Sequence, residues 1–183
     1  MNNGLISREG TALIVIDVQE KLFPHIYGRG DVVRNICRLI RFAKIVGMPI
    51  ILTEQYPKGL GKTIPEIKEL TPGIKPIEKI EFSCFRTPIF EDALRRLNVK
   101  TLIIVGIETH ICVSQTAIEG LSRGYKVCVI GDAVSSRRLE DKIIGIERMR
   151  QSGVIISSTE MVIYEILGRA GTPEFKEVLK LVK

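Results

Sequence analysis

The sequence predicts an α/β fold in which a six-stranded parallel sheet lies between two layers of helices. Short apolar runs rich in β-branched residues alternate along the chain with segments whose apolar residues recur at helical spacing. Such alternation is typical of a parallel sheet that is covered by helices on both faces. The length of 183 residues suits one hydrophobic core, so we expect a single domain over residues 1–183.

Six short runs, each bounded by polar or turn residues, are predicted as strands, and all but the third are apolar. They are Thr11–Ile16, 48–53, 74–80, 101–105, 126–130 and 154–156. The run 101–105 is unbroken and rich in β-branched residues, which indicates a central strand covered on both faces, and Gly106 marks its expected end. The run 74–80 is polar and contains Pro76, which lacks the N–H that a central strand needs, so it is predicted as an edge strand.

The segments between these strands are predicted as helices because their apolar residues share one face. They are 31–46, 64–70, 91–97, 111–123, Leu139–Gln151, Thr159–Leu167 and 173–181. Asp31 is the expected N-cap of the first helix, and Ser158 or Thr159 that of the sixth. Gly47 and Gly124 stand where C-terminal glycine caps are expected.

The commonest order for six such strands, 3-2-1-4-5-6, is Rossmann-like and makes the first and fourth strands neighbours. Asp17 directly follows the first strand, and Cys112 lies where the fourth strand has ended and a helix begins. Ligands bind at the carboxyl ends of these strands, and the start of a helix favours a thiolate. Alternatively, Asp17 could form a structural ion pair and Cys112 could be a small buried hydrophobe.

Composition narrows the classes of partner. The net charge is +6, but lysines and arginines are scattered among glutamates, so we expect no nucleic-acid partner, while an anionic small substrate stays open. No apolar run is long enough to span a membrane and the N-terminus lacks the apolar core of a signal peptide, so a cytoplasmic location is expected.

The four cysteines are far apart and only two histidines occur, which excludes a disulfide framework or a zinc site. Cys37 and Cys128 are expected in the core, and Cys84 is the other candidate for chemistry.

Several motifs together resemble the isochorismatase-like cysteine hydrolase superfamily. Asp17 in LIVIDVQEKLFP, Lys79 in IEKIEFSCF and Cys112 in VGIETHICVSQTA are similar to the catalytic motifs of that superfamily. The segments TEQYPKGLG, GDAVSSR and STEMVIYEILG extend the likeness along nearly the whole chain, and resemble the subgroup of isochorismatase domain-containing proteins.

The resemblance implies a catalytic role for each of the three residues. Cys112 would attack an amide or related carbonyl carbon, Asp17 would take the thiol proton and pass it to the leaving amine, and Lys79 would hold Asp17 ionised. Water activated by Asp17 would then hydrolyse the thioester. Relatives place oxyanion-binding backbone N–H groups at the positions of Glu108 and Cys112, and have a cis peptide bond at the position of Ile107–Glu108.

The resemblance also bears on the pocket and on metals. Nicotinamidases of the superfamily carry an Asp-x-His metal motif where this chain has Glu54, Gln55 and Tyr56, so we expect no metal and no other cofactor. The loop residues Phe23, Gln55, Tyr56, Phe82 and Phe85 are candidates for the substrate-binding wall. His110 is expected to point away from the thiol, and His25 to lie at the surface or in the pocket wall.

The sequence therefore favours a metal-independent cysteine hydrolase acting on a C–N bond of a small amide, carbamoyl or ureido compound. Two alternatives stay open. One is a vinyl-ether hydrolase of the isochorismatase kind, for which Cys112 is dispensable, and the other is a catalytically silent oligomeric binding protein. Relatives form dimers or tetramers, so a homo-oligomer is expected. The substrate itself cannot be named from the sequence.

Overall fold

The computed structural model describes residues 4–182. Its six strands form one sheet in the order β3-β2-β1-β4-β5-β6, and all neighbouring strands are parallel, which confirms the predicted architecture and order. The strands are β1 (Thr11–Ile16), β2 (Ile50–Gln55), β3 (Ile77–Lys79), β4 (Thr101–Ile107), β5 (Lys126–Ser135) and β6 (Ile155–Ser157).

Eight α-helices occur within residues 4–182. They are α1 (Arg29–Val46), α2 (Pro57–Leu60), α3 (Pro65–Lys68), α4 (Pro88–Arg96), α5 (Ser114–Ser122), α6 (Leu139–Gln151), α7 (Thr159–Leu167) and α8 (Pro173–Val182). Two short 3₁₀ turns, Phe23–His25 and Cys84–Arg86, and a π-helical turn, Thr109–Val113, complete the regular structure. No helix within the described residues is long and apolar enough to cross a membrane.

Each face of the sheet has its own apolar core, and β1 contributes alternate residues to the two cores. Its six residues are all buried, and Leu13 and Val15 pack with α1, α7 and α8, while Ala12, Ile14 and Ile16 pack with α4, α5 and α6. Burial on both faces explains the continuous apolar run, since a strand covered on one side only would alternate. The two free cysteines expected in the core, Cys37 and Cys128, are buried there.

The predicted end of β4 at Gly106 is wrong, because the strand continues to Ile107. Gly106 has a φ of 114°, and a Cβ at this position would lie 2.1 Å from the backbone oxygen of Ile16. The glycine therefore serves the close approach of β1 and β4 rather than a chain reversal. This approach brings together the two strands that lead to Asp17 and Cys112.

Some other predicted ends of helices and strands differ from the observed ones. Asp31 is not the N-cap of α1, because the helix begins at Arg29 after Gly28, which is left-handed. The edge strand is reduced to Ile77–Lys79, beginning just after Pro76, whose ring lacks an N–H for the ladder. Ser158 is the cap of α7, since its side chain accepts a hydrogen bond from the N–H of Met161.

Candidate active site

The carboxyl ends of β1 and β4 lie side by side, and each leads into a candidate residue. Asp17 follows β1 with a φ of 52°, a left-handed conformation that aspartate tolerates better than most residues. Its backbone N–H donates to the oxygen of Thr53 on β2 at 3.2 Å. Cys112 lies in the π-helical turn between β4 and α5. Topology thus joins residues that are distant in sequence at one edge of the sheet.

The carboxylate of Asp17 is fully buried and accepts a hydrogen bond on each oxygen. Lys79 Nζ lies 2.6 Å from Oδ2, and both side chains are 0% exposed. Thr53 Oγ1 donates to Oδ1 at 2.6 Å. A buried carboxylate needs such partners, because an unpaired charge in the interior is costly. Thr53 was not among the predicted site residues, although it ends the predicted strand that lies beside Asp17.

Lys79 uses its ammonium group entirely within the protein. Besides Asp17, it donates to Gln55 Oε1 at 2.8 Å and to the backbone oxygens of Glu81 and Phe82, both at 3.2 Å. Burial works to lower the pKa of Lys79, but the negative charge of Asp17, smaller electrostatic effects of Cys84 and Cys112 and the hydrogen bond to Asp17 together raise it. Lys79 is therefore a fixed cation beside Asp17.

Cys112 differs from the expectation of a thiolate. Burial and then the negative charge of Asp17 raise the pKa of the Cys112 thiol, and the opposing charge of Lys79 does not compensate. The thiol is 6% exposed, so little water is available to stabilise an anion. In the resting site Cys112 is thus protonated, and the position at the start of a helix does not outweigh burial.

Asp17 and Cys112 line one cavity of about 200 Å³. Most of its exposed wall is apolar and a few polar groups contribute to it, which is typical of a small-molecule site. The lining residues are Asp17, Leu22, Gln55, Leu60, Phe82, Glu108, Ile111, Cys112 and Arg137. Leu22, Leu60, Ile111 and Arg137 were not among the predicted wall residues.

The five residues proposed for the wall separate into three groups. Gln55 and Phe82 line the cavity, while Tyr56 lines a separate pocket of about 340 Å³. Phe23 packs against the core beside α1, and Phe85 is 4% exposed and stacks edge-on against another core aromatic ring. An aromatic residue in a loop does not reveal from sequence alone whether it covers the core or faces a ligand.

Gln55 is held in a fixed orientation beside Lys79. Its backbone N–H donates to Gln19 Oε1 at 2.7 Å, and its side-chain Nε2 donates to the oxygen of Ile80 at 2.6 Å. The carbonyl oxygen of the side chain is consequently aimed at Lys79. Gln55 therefore supports the Asp17–Lys79 pair in addition to forming part of the wall.

Glu108 lies at the end of β4, where the peptide bond Ile107–Glu108 is cis, as the resemblance implies. Its carboxylate is 5% exposed and accepts hydrogen bonds from Arg137, at 2.8 Å from the backbone N–H and 3.1 Å from Nε. The backbone N–H of Glu108 donates no hydrogen bond to any group within residues 4–182. Arg137 ends the segment GDAVSSR, which resembles the family and which forms the last part of β5 and the two residues after it, and this resemblance was the available signal for it.

The other candidate residues lie outside the cavity wall. His110 Nδ1 is 2.9 Å from Ser136 Oγ, and His25 is exposed in its 3₁₀ turn. Cys84 is fully buried, and burial, with a smaller effect of the charge on Asp17, raises its pKa to about 12. Glu54, in the position compared with a metal motif, accepts hydrogen bonds from both the N–H and the hydroxyl of Thr63. Within residues 4–182, no group of three or more His, Cys, Asp or Glu residues is arranged to hold a metal ion.

Comparison with known proteins finds relatives of this chain. The sequence model of the isochorismatase domain family matches residues 11–161. Isochorismatase domain-containing protein 2 of Danio rerio is 40% identical over 179 residues, which cover 98% of this chain and 90% of that protein. Isochorismatase domain-containing protein 2A of Mus musculus is 38% identical over 98% of this chain and 86% of its own length.

Solved structures agree with these matches. The structure described as MAR1 ribonuclease from Caenorhabditis elegans has a TM-score of 0.91 and 41% identity, and the match covers 97% of this chain and 92% of that one. A hypothetical protein from Trypanosoma cruzi has a TM-score of 0.90 and 30% identity, with 98% and 95% of the two chains covered.

Proposed function

This chain belongs to the isochorismatase family, and on that premise we propose that it is a cysteine hydrolase cleaving a C–N bond of a small amide, carbamoyl or ureido compound. The family accounts for a hydrolase fold, whereas the reaction and its residues are our proposal. The observation that carries it is the buried Asp17–Lys79 pair, with a 2.6 Å contact, at the same cavity as Cys112. A nucleophile beside a general base is the minimum that covalent catalysis requires.

In the proposed reaction the Cys112 sulfur attacks the carbonyl carbon while its proton passes to Asp17. Asp17 then protonates the leaving nitrogen, the C–N bond breaks, and an amine or ammonia departs from a thioester. A water molecule next gives a proton to Asp17 and attacks the thioester carbon. Collapse of this second intermediate releases the acid and returns the proton to the Cys112 sulfur, so the enzyme is regenerated.

The raised pKa of Cys112 suits this order of events. A thiol that stays protonated at rest needs a base at the moment of attack, and Asp17 lines the same cavity. Thr53 and Lys79 occupy one acceptor position on each carboxylate oxygen, which fixes the orientation of Asp17. Lys79 therefore acts in the proposal as a positioning residue, because its donors are already used within the protein.

The oxyanion of each intermediate would be stabilised by the backbone N–H groups of Glu108 and Cys112. In support, the N–H of Glu108 has no hydrogen-bond acceptor within residues 4–182 and Glu108 lines the cavity. A preorganised donor of this kind is worth about 3 kcal/mol in the transition state. The side chain of Glu108, bound to Arg137, fixes the residue at this edge.

The first prediction concerns the nucleophile. Replacing Cys112 by Ala or Ser removes the attacking sulfur, so turnover should fall by a factor on the order of 10⁴ or more. A screen of small amides, carbamoyl compounds and ureides with detection of ammonia, run with wild type and both variants, measures this. Cys37→Ala is the matched control, because Cys37 lies in the other core cluster, across the sheet from Cys112.

The same variants separate the alternatives. Ammonia release that persists in full in Cys112→Ala would reject the cysteine mechanism. Hydrolysis of a vinyl ether, assayed separately and unchanged in Cys112→Ala, would favour a vinyl-ether hydrolase in which Asp17 protonates the substrate. A silent binding protein would be favoured if no compound was hydrolysed although some of them protected Cys112 from iodoacetamide.

A ribonuclease is a second candidate, since the 41% identical nematode structure is described by that activity. The cavity of about 200 Å³ favours a smaller substrate, because pockets for drug-sized ligands start at roughly 300 Å³. Digestion of RNA by the wild type that is lost in Cys112→Ala would favour the nuclease. Digestion unchanged in that variant would indicate a contaminant.

A further inference from the structure

The polar groups around the cavity are mostly bound within the protein. Both carboxylate oxygens of Asp17 accept hydrogen bonds, and the side chain of Gln55 contacts Lys79 and the oxygen of Ile80. The carboxylate of Glu108 accepts two donors of Arg137. A substrate would therefore find few unused polar side-chain groups, and those that exist should decide which substrate binds.

Arg137 is the exception among these residues. Its backbone N–H and Nε are used by Glu108, but within residues 4–182 neither terminal nitrogen of the guanidinium donates a hydrogen bond. The side chain is 57% exposed and yet lines the same cavity as Cys112. Because Nε and the main chain are both anchored on a buried carboxylate, the free end of the guanidinium has a defined direction.

The free end of a guanidinium presents two parallel N–H donors, and the group that matches them with two acceptors is a carboxylate. Lys79 cannot take this role, because it is fully buried and its donors are used. The cavity that Arg137 and Cys112 share is also lined by Leu22, Leu60 and Ile111, which suits a short hydrocarbon chain. The net charge of +6 favours the approach of an anion.

We propose that the substrate is a small carboxylate-bearing amide whose carboxylate binds Arg137 while its amide carbon faces Cys112. This inference rests on the proposed function and names the substrate class for that site. For a primary amide the balanced reaction is ⁻OOC–R–CONH₂ + H₂O → ⁻OOC–R–COO⁻ + NH₄⁺, so the product is a dicarboxylate. Arg137 is thereby the residue that determines specificity, through binding rather than through the reaction itself.

The test compares amides that differ only in the carboxylate. Malonamic, succinamic and glutaramic acids are each paired with the neutral amide in which a methyl group replaces the carboxylate. Protection of Cys112 from alkylation by iodoacetamide gives an affinity for each compound, and ammonia release gives kcat and KM. We expect the best acid to bind about tenfold or more tightly than its neutral partner, the usual effect of a charge-assisted hydrogen bond.

The variants assign this preference to one side chain. Arg137→Gln should abolish the preference for the acids over their neutral partners, and Arg137→Lys should restore part of it. Arg138→Gln is the matched control, because Arg138 is an exposed neighbour with the same charge that does not line the cavity. It should keep the full preference.

Two results would overturn the inference. One is equal or absent protection by acids and neutral amides in the wild type, and the other is a preference that survives in Arg137→Gln. A failure of the proposed function gives a different result. Ammonia release would then persist in Cys112→Ala, whether or not the acids bind more tightly than the neutral amides. Hydrolysis of neutral amides that depends on Cys112, without any preference for acids, would keep the hydrolase and reject the carboxylate.

Discussion

Cys112 illustrates how burial can reverse the effect of a position in the fold. The start of a helix and a nearby lysine both favour a thiolate, and both are present. Burial and the charge of Asp17 nevertheless raise the pKa of the thiol. Lys79 Nζ lies 2.6 Å from Asp17 Oδ2, so the carboxylate compensates most of the positive charge. Lys79 therefore does little to stabilise a negative charge on the Cys112 sulfur. The base that would activate the nucleophile also keeps it protonated at rest.

A prediction follows for Asp17→Asn. Removing the negative charge leaves Lys79 to act on the thiol alone, so the pKa of Cys112 should fall. The rate of alkylation by iodoacetamide should then rise at neutral pH, although turnover is lost with the base. A lower pKa increases the thiolate fraction more than it weakens the sulfur as a nucleophile, giving a net gain of about threefold for each pKa unit.

The measurement is the pH profile of Cys112 alkylation, followed by mass spectrometry. The profile of Asp17→Asn should lie at lower pH than that of the wild type. Asp31→Asn, which removes an exposed carboxylate in the first turn of α1, should leave the profile unchanged. A wild-type profile that already levels off below the ordinary thiol range near 9.0 would contradict the resting thiol.

At the scale of elements, α6 holds the turn that carries Cys112. Gly145 of α6 packs against this turn so closely that a Cβ would lie 3.0 Å from His110 Cα and 3.1 Å from its nitrogen. Both are backbone atoms, which cannot move aside without shifting the turn. His110 is also anchored by Ser136, so its role is consistent with holding this contact rather than with chemistry at the thiol.

Gly145→Ala should therefore separate the helix from the turn. We expect a loss of about 1–3 kcal/mol in the free energy of unfolding, typical of an overpacked site, together with reduced kcat. Urea unfolding and the ammonia assay measure the two effects.

Gly30→Ala is the control, since Gly30 lies in α1 with open space around it. There the helix propensity of alanine should raise stability by about 0.5–1 kcal/mol. Equal effects of both substitutions would reject close packing at Gly145.

At the scale of the whole molecule, the sequence predicted the strand order and the meeting of Asp17 with Cys112 for one reason. Alternating strands and helices leave few topologies, and the order 3-2-1-4-5-6 makes β1 and β4 neighbours. Lys79 could be placed only through resemblance, because its strand is three residues long and polar. That all three residues act in catalysis stays a prediction, as does the single domain over residues 1–183.

Other features could not be predicted because they depend on side-chain packing. The hydrogen bond from Thr53 to Asp17, the bond between Glu108 and Arg137, and the raised pKa of Cys112 all arise from tertiary contacts. No local pattern distinguishes Phe82, which lines the cavity, from Phe85, which packs in the core. The sequence predicts at which edge of the sheet the site lies. Side-chain packing determines which groups at that edge line the cavity and can contact a substrate.

The expected homo-oligomer is tested at this scale through the outer face of α6. Leu139, Ile143 and Ile144 are 37%, 57% and 63% exposed, and clustered apolar side chains of this kind mark protein interfaces. Ile144→Arg should therefore dissociate the assembly, which light scattering should find in the wild type as a dimer or tetramer of the 20.5 kDa chain. Ile144→Val should keep the wild-type mass, because it preserves the apolar surface. A wild-type protein with the mass of one chain would reject the oligomer, and an Ile144→Arg variant with unchanged mass would place the interface elsewhere.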